Sequence, residues 1–159
     1  TLFLKAAEPV PAGRKTELLP LEYFPINPAY DVPAVLKPFA EMATVDMPTS
    51  TGTVDKMRRV GSLEFVLHGM PTKLTAFVPA ASPSIESLFV PFSDITSGIE
   101  TYQSGRYLDL DRTATGIYQI DFNLAYNPYC YFSPVWVCPI PPRENRLPVR
   151  IEAGERTKP

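Results

Sequence analysis

The sequence has one histidine and two cysteines among 159 residues. A single histidine excludes His-rich metal sites. The two thiols, Cys130 and Cys138, do not have zinc-knuckle spacing, and with one histidine they cannot complete four ligands without carboxylates. A surplus of either charge is also lacking: 15 Lys and Arg stand against 17 Asp and Glu, a net charge of −2. That balance argues against nucleic acid or an anionic membrane surface as the main partner. No apolar run reaches about 18 residues, so no membrane-spanning segment is expected. A Gly-rich phosphate loop, a G-x-S-x-G elbow and an H-E-x-x-H pair are all missing. These residues imply no metal and no cofactor, and they name no reaction.

Room for a long helix is missing too. Proline supplies 19 of the 159 residues, about twice the usual share of roughly 5%. It breaks helix interiors by removing a donor and crowding the preceding turn. The two long proline-free windows, 49–70 and 92–127, are cut by Gly52, Gly61 and Gly69, and by Gly98, Gly105 and Gly116. An all-β reading follows: a single-domain antiparallel β-barrel or sandwich with a long Pro-rich irregular segment wrapped over it. Residues 1–19 read as an N-terminal arm and 20–159 as the domain. The chain begins at Thr1 rather than at methionine, which reads as a processed or trimmed product; the compartment, cytoplasm or cell envelope, stays open.

Several strands are legible. Residues 23–30 are aromatic and proline-rich and read as an extended segment packed on the core. Residues 32–39 read as a strand that Pro33 and Pro38 confine to an edge or a bend. Residues 56–60 form a short strand candidate. Residues 62–78 carry the clearest signal: Leu63, Phe65 and Leu67 share one face, Gly69-Met70-Pro71 is turn chemistry, and Leu74, Ala76 and Val78 resume the period of two. This is a β-hairpin. Residues 87–92 read as a buried strand interrupted by Pro91. Residues 106–110 and 116–122 bracket a turn and read as a second hairpin, with Tyr118, Ile120 and Phe122 on one face. Residues 123–145 read as irregular, and 149–153 as a closing strand.

Two stretches could carry chemistry. The first is D-I-T-S-G-I-E-T-Y-Q-S-G-R, Asp94 to Arg106, a polar loop between strands. It reads either as a ligand pocket in which Arg106 clamps an anionic or carbonyl group, or as a buried network in which Arg106 pairs with Asp94 or Asp121. A pair of Arg106 with Asp121 across the second hairpin is the specific expectation. The second stretch runs from Asp121 to Cys138. Its cysteines read as free buried thiols, as a disulfide around Pro134, or as a nucleophile or ligand. Its aromatics, Tyr126, Tyr129, Tyr131, Phe132 and Trp136, either line a cavity or cover the sheet.

The segments G-I-E-T-Y-Q-S-G-R-Y-L-D-L, I-D-F-N-L-A-Y-N-P-Y-C and C-P-I-P-P-R-E-N-R-L-P-V-R-I-E-A-G-E resemble a bacterial and archaeal family of uncharacterised proteins, domain of unknown function 1684. The resemblance spans roughly residues 21–155. It implies a β-rich fold and marks Asp94, Thr96, Thr101, Tyr102, Gly105, Arg106, Asp121, Asn123, Tyr126, Asn127, Cys130, Cys138 and Asn145 as the family signature. Where the family pattern usually has alanine after Cys130, this chain has Tyr131. The resemblance brings no reaction with it.

Three functions are therefore in view. The favoured one is a small-molecule-binding domain with a polar pocket around Arg106, drawing on Asp94, Thr96, Thr101, Tyr102, Asp121, Asn123, Tyr126, Asn127 and Cys130. The second is an enzyme with Cys130 as nucleophile and His68 or a carboxylate as base. The third is a structural or interaction module of the cell envelope.

Overall fold

The computed structural model describes residues 10–159; most of the expected N-terminal arm, residues 1–9, lies outside the described ones. Among the described residues nine strands form: β1 (Glu22–Tyr23), β2 (Asp31–Pro38), β3 (Thr44–Pro48), β4 (Val54–Leu67), β5 (Met70–Pro79), β6 (Ser87–Phe92), β7 (Arg106–Asp111), β8 (Ile117–Asp121) and β9 (Glu155–Arg156). Seven build one antiparallel sheet in the order β7-β6-β5-β4-β2-β8, with β3 paired to β4. The sheet curls into a nearly closed barrel. No helix among the described residues is long and apolar enough to cross a membrane.

The period of two sets the inside of the barrel. Leu63, Phe65 and Leu67 of β4, Leu74, Ala76 and Val78 of β5, and Tyr118 and Ile120 of β8 are all buried in one core with Phe92, Leu108 and Ile151. The β4–β5 hairpin forms with Leu67 opposite Met70. Its two-residue loop is His68-Gly69, one position earlier than the turn chemistry suggested, with φ of 51° and 77°. Positive φ at both loop residues gives the type I′ twist that right-handed strands require. The His68 ring lies edge-on against Tyr30, with centroids 4.8 Å apart.

The curl comes from β4. Its register shifts between Arg59 and Gly61, and such a bulge bends a strand and increases its twist. Gly61 is needed there because a Cβ would stand 2.6 Å from the Lys37 carbonyl oxygen of β2. The expected short strand at 56–60 is thus the near half of one long, bent strand.

Strand β2 lies between β4 and β8 rather than at an edge. Its prolines survive because the two ladders are staggered. Residues 31–35 pair with β8 and residues 34–38 with β4. The Leu36 N–H donates toward β8, to Gly116 O, so alternation turns the Pro33 nitrogen toward β4 and the Pro38 nitrogen toward β8. Pro38 lies beyond the last residue of β8 in the register, so it costs no bond there, and Pro33 falls just past Ala34, the last residue of β2 paired with β4, so its missing N–H marks the end of that ladder rather than a gap inside it.

The second hairpin does not form. β7 pairs with β6, and β8 pairs with β2, so the two strands are the opposite rims of the barrel seam. At Tyr107 the outer edge of β7 is taken instead by Tyr126, whose backbone exchanges hydrogen bonds of 2.9 and 3.1 Å with it. Alternation reports which way a side chain faces, not which edge its strand joins. The Arg106–Asp121 pair fails for the same reason. Arg106 points inward with the core residues of β7, whereas Asp121 points outward, away from Tyr118 and Ile120. The closing strand is corrected as well. Residues 149–153 run irregularly, with Ile151 and Ala153 buried, and the last strand is β9, which pairs with β1.

Among the described residues, part of the outer face is covered. Met47, Met57 and Phe77 form a small second core there, with Val45 and Phe89 against it. The proline-rich segment after Asn127 wraps this side. It is fastened by Ser50 N–H to Cys138 O at 2.9 Å and Ile140 N–H to Pro48 O at 2.8 Å. At its start Phe132 is buried against Val10 and Leu18, where the short helix α1 (Lys15–Leu18) ends.

Candidate functional site

Most of the signature residues fall in three places, with Tyr102 and Asn145 outside them. The first is one open end of the barrel, where β7 begins. Arg106 is 0% exposed there, which an arginine tolerates only when its donors are met. Nη2 donates to Ile151 O at 2.9 Å, and Nη1 donates to Glu155 O at 3.1 Å and to Ala153 O. Asp94 lies 3.5 Å from Nη2, and the guanidinium stacks 5.3 Å from the centroid of Phe92. Asp94 Oδ2 accepts from Thr96 Oγ1 at 2.8 Å and from Ile151 N–H at 2.7 Å. The Thr96 and Thr101 hydroxyls meet at 2.9 Å. Burial pulls the Arg106 pKa down, and Asp94 opposes that pull. Three consecutive alternate carbonyls, Ile151, Ala153 and Glu155, thus find in one side chain the donors that a strand would have supplied.

Asn127 joins this network from below the seam. Its backbone N–H donates to Glu155 Oε2 at 2.9 Å, and its Nδ2 donates to Arg156 O at 3.2 Å. Burial drives the Glu155 carboxyl up to about 7, while the Asn127 N–H and Arg106 hold it back. Sequence reasoning missed Glu155, because nothing in a terminal G-E-R marks a buried acid. Its folded pKa lies above the ordinary 4.5, so the native state keeps a proton that the unfolded chain has lost. Its contribution to stability is therefore complete below pH 4.5 and is lost as the pH rises through about 7, on the order of 3 kcal/mol in all. Glu155→Gln, which still accepts from Asn127, is expected to flatten the fall in Tm between pH 5 and 8 relative to the wild type. Parallel Tm curves for the two proteins would contradict this.

The second place is a surface latch. Asp121 accepts from the Asn123 N–H at 3.0 Å and from its Nδ2 at 2.8 Å. Asn123 in turn exchanges bonds of 3.0 and 2.9 Å with the backbone of Asn27. These two residues hold the aromatic 23–30 segment against the barrel. Tyr102 stands apart from them, its ring 5.7 Å from that of Tyr131. Tyr131, the departure from the family pattern, uses its hydroxyl to accept from Lys158 N–H at 2.9 Å.

The third place is a groove of about 810 Å³ on the covered outer face. One wall is strand: Phe89 of β6 and Tyr107 and Asp109 of β7 point outward there, because their neighbours Leu88, Val90, Leu108 and Leu110 take the inside. Phe89 and Tyr107 meet edge-to-face at 4.7 Å, and Tyr107 and Tyr126 at 5.8 Å. The Tyr107 hydroxyl donates to Pro139 O at 2.5 Å, and that of Tyr126 to Asp109 Oδ2. Burial raises both phenol pKa values. The opposite wall is the 128–139 loop, where Tyr129 and Trp136 pack at 5.0 Å. Ser82, Pro83, Ser84 and Glu86, in the loop before β6, close the end.

Cys130 and Cys138 are joined by a disulfide that ties this loop at its base. The nucleophile reading is thereby corrected: Cys130 has no thiol to offer, and His68 packs on Tyr30 at the β4–β5 turn. Of the expected ligand residues, only Tyr126 lines the groove; Asp94, Thr96, Thr101 and Arg106 do not. Phe89, Tyr107 and Asp109 were missed, although a signal existed. A strand with aliphatic residues on one face and aromatic residues on the other is covered twice.

The fold is thus a nearly closed antiparallel barrel with a polar plug at one end and an aromatic groove on one flank. Residues 17–156 match the family described as "Protein of unknown function (DUF1684)", and the chain belongs to it. The chain is also similar to a protein of known structure, an uncharacterised protein from Haloarcula marismortui solved by solution NMR. The two are 36% identical, with a TM-score of 0.77 over 97% of this chain and 86% of that one. No curated protein matches the chain.

Proposed function

We propose that the protein is a small-molecule-binding β-barrel, that its ligand occupies the aromatic groove, and that the network around Arg106 holds the barrel end together. The observation that carries this reading is the groove itself: about 810 Å³ between a strand face and a tethered loop, lined by Phe89, Tyr107, Tyr126, Tyr129 and Trp136. Small-molecule sites are commonly concave, aromatic-rich and of this size, with a few polar groups that fix orientation. The Arg106 Nη donors are occupied by the Ile151, Ala153 and Glu155 carbonyls and by Asp94, and its Nε, though without a partner, is fully buried, which leaves that end of the barrel little to offer an incoming anion.

Trp136 is the chain's single tryptophan, so its emission reports on the groove alone. A library of aromatic and amphiphilic fragments screened by Trp136 fluorescence is expected to yield saturable quenchers that also raise Tm, because a ligand that binds only the native state stabilises it. Phe89→Ala is expected to weaken them about tenfold. Fragments that shift Tm without affecting Trp136, or a screen with no saturable binder, would overturn the reading.

A further inference from the structure

We infer that the Cys130–Cys138 disulfide is a thiol-exchange site that takes dithiols, rather than a fixed staple. The inference does not depend on the groove holding a ligand. It starts from what keeps the two cysteines in place. Cys138 is gripped by Ser50, in the turn between β3 and β4. Ser50 N–H donates to Cys138 O at 2.9 Å, and Cys138 N–H donates to Ser50 Oγ at 3.1 Å. Cys130 lies in a single helical turn, Tyr129–Tyr131. Tyr131 N–H to Pro128 O at 3.0 Å and Phe132 N–H to Tyr129 O at 2.9 Å close that turn, and the fully buried Phe132 anchors it. These tethers are independent of the sulfur–sulfur bond, so cleavage leaves the two thiols side by side.

The sulfurs also have partners suited to the reduced state. Cys130 N–H donates to Cys138 Sγ at 3.2 Å. The Ser50 hydroxyl, which also reaches Trp136 O at 3.3 Å, stands 3.1 Å from Cys130 Sγ as its donor. Such donors stabilise a thiolate and make it a better leaving group. Trp136 O lies 3.0 Å from Cys130 Sγ and can accept the proton of its thiol. Access sets the order of events: Cys138 is 8% exposed, whereas Cys130 is half-buried. One thiolate of the dithiol attacks Cys130 Sγ and bonds to it. The Cys130–Cys138 bond breaks, and Cys138 leaves as a thiolate against Cys130 N–H. The second thiolate of the dithiol then attacks its own first sulfur, closes a cyclic disulfide and releases Cys130 as a thiolate beside Ser50. Two electrons pass to the protein, and the two thiol protons of the reductant end on Cys130 and Cys138.

The test adds dithiothreitol to the native protein, quenches with acid, alkylates and counts thiols by mass. Reduction is expected within about a hundredfold of the rate in urea; a larger deficit would mean that the bridge opens only on unfolding, and would overturn the inference. Glutathione, a monothiol that cannot finish the reaction by ring closure, is expected to be trapped on Cys130. An adduct on Cys138 would overturn the order of attack. In the reduced protein, Ser50→Ala is expected to raise the pH midpoint of Cys130 alkylation and Ser50→Thr to restore it; an unchanged midpoint would remove Ser50 from the site. The reduced wild type is expected to keep a cooperative melt at a lower Tm, because the cross-link no longer constrains the unfolded chain. A reduced chain with no cooperative melt would sink the inference, since its thiols would have no fixed geometry.

Discussion

Arg106→Ala is expected to destabilise the protein by on the order of 3–5 kcal/mol, the cost of removing one member of a buried, charge-assisted network. The change leaves the carbonyls of Ile151, Ala153 and Glu155 without their donor, and leaves the Asp94 carboxylate in the same buried end of the barrel. Each abandoned buried group carries its own desolvation penalty of about 1–3 kcal/mol. Arg106→Lys is expected to recover little, because one ammonium cannot span acceptors that a forked guanidinium reaches at once. The comparison is Asp121→Asn. It preserves the acceptor for the Asn123 N–H and is expected to stay within about 0.5 kcal/mol of wild type. Urea unfolding of the three variants decides the matter. A loss below about 1 kcal/mol for Arg106→Ala, or equal losses at residues 106 and 121, would show that Arg106 does not hold the 151–155 segment.

Those two residues also measure what the sequence discloses. Local periodicity placed the faces of β4, β5 and β8 correctly, because a side chain's side of a sheet is decided every second residue. It also placed the β4–β5 hairpin, where a two-residue loop leaves the strands a single partner. It misplaced the partners of β7 and β8, because β7 turns back on β6 across the polar 93–105 loop and β8 pairs with β2, which lies some 85 residues earlier in the chain. The Arg106 cluster was legible as a polar cluster with two readings, ligand pocket or buried network. Its partners are backbone carbonyls some 50 residues on, and carbonyls leave no trace in a sequence. The groove was half legible: Tyr126, Tyr129 and Trp136 stood out as candidate lining. Phe89 and Tyr107 were hidden inside strands that were read for their aliphatic face.

Asn145 shows the same device at a second break in the ladder, and its replacement should be as costly as that of Arg106. Strands β5 and β6 pair at Phe77 and Phe89. Two residues further along, Thr75 and Pro91 come face to face, and Pro91 has no N–H with which to serve the Thr75 carbonyl. The buried Asn145 side chain fills the gap. Its Oδ1 accepts from Thr75 N–H at 2.8 Å, and its Nδ2 donates to Thr75 O at 2.9 Å and to Pro91 O at 2.8 Å. Asn145→Ala orphans three buried backbone groups at once and is expected to cost about 3–5 kcal/mol. Asn145→Asp is expected to be no better, since a carboxylate has no proton to give either carbonyl. The proline is the check on this account. In the Asn145→Ala background, Pro91→Ala restores an N–H facing Thr75 and should recover about 1 kcal/mol, whereas in the wild-type chain it should recover nothing. Amide exchange at Thr75 gives the matching local readout: slow in wild type, fast in Asn145→Ala, and slowed again in the double variant. Equal effects of Pro91→Ala in both backgrounds would mean that Asn145 does not stand in for the bond that proline removes.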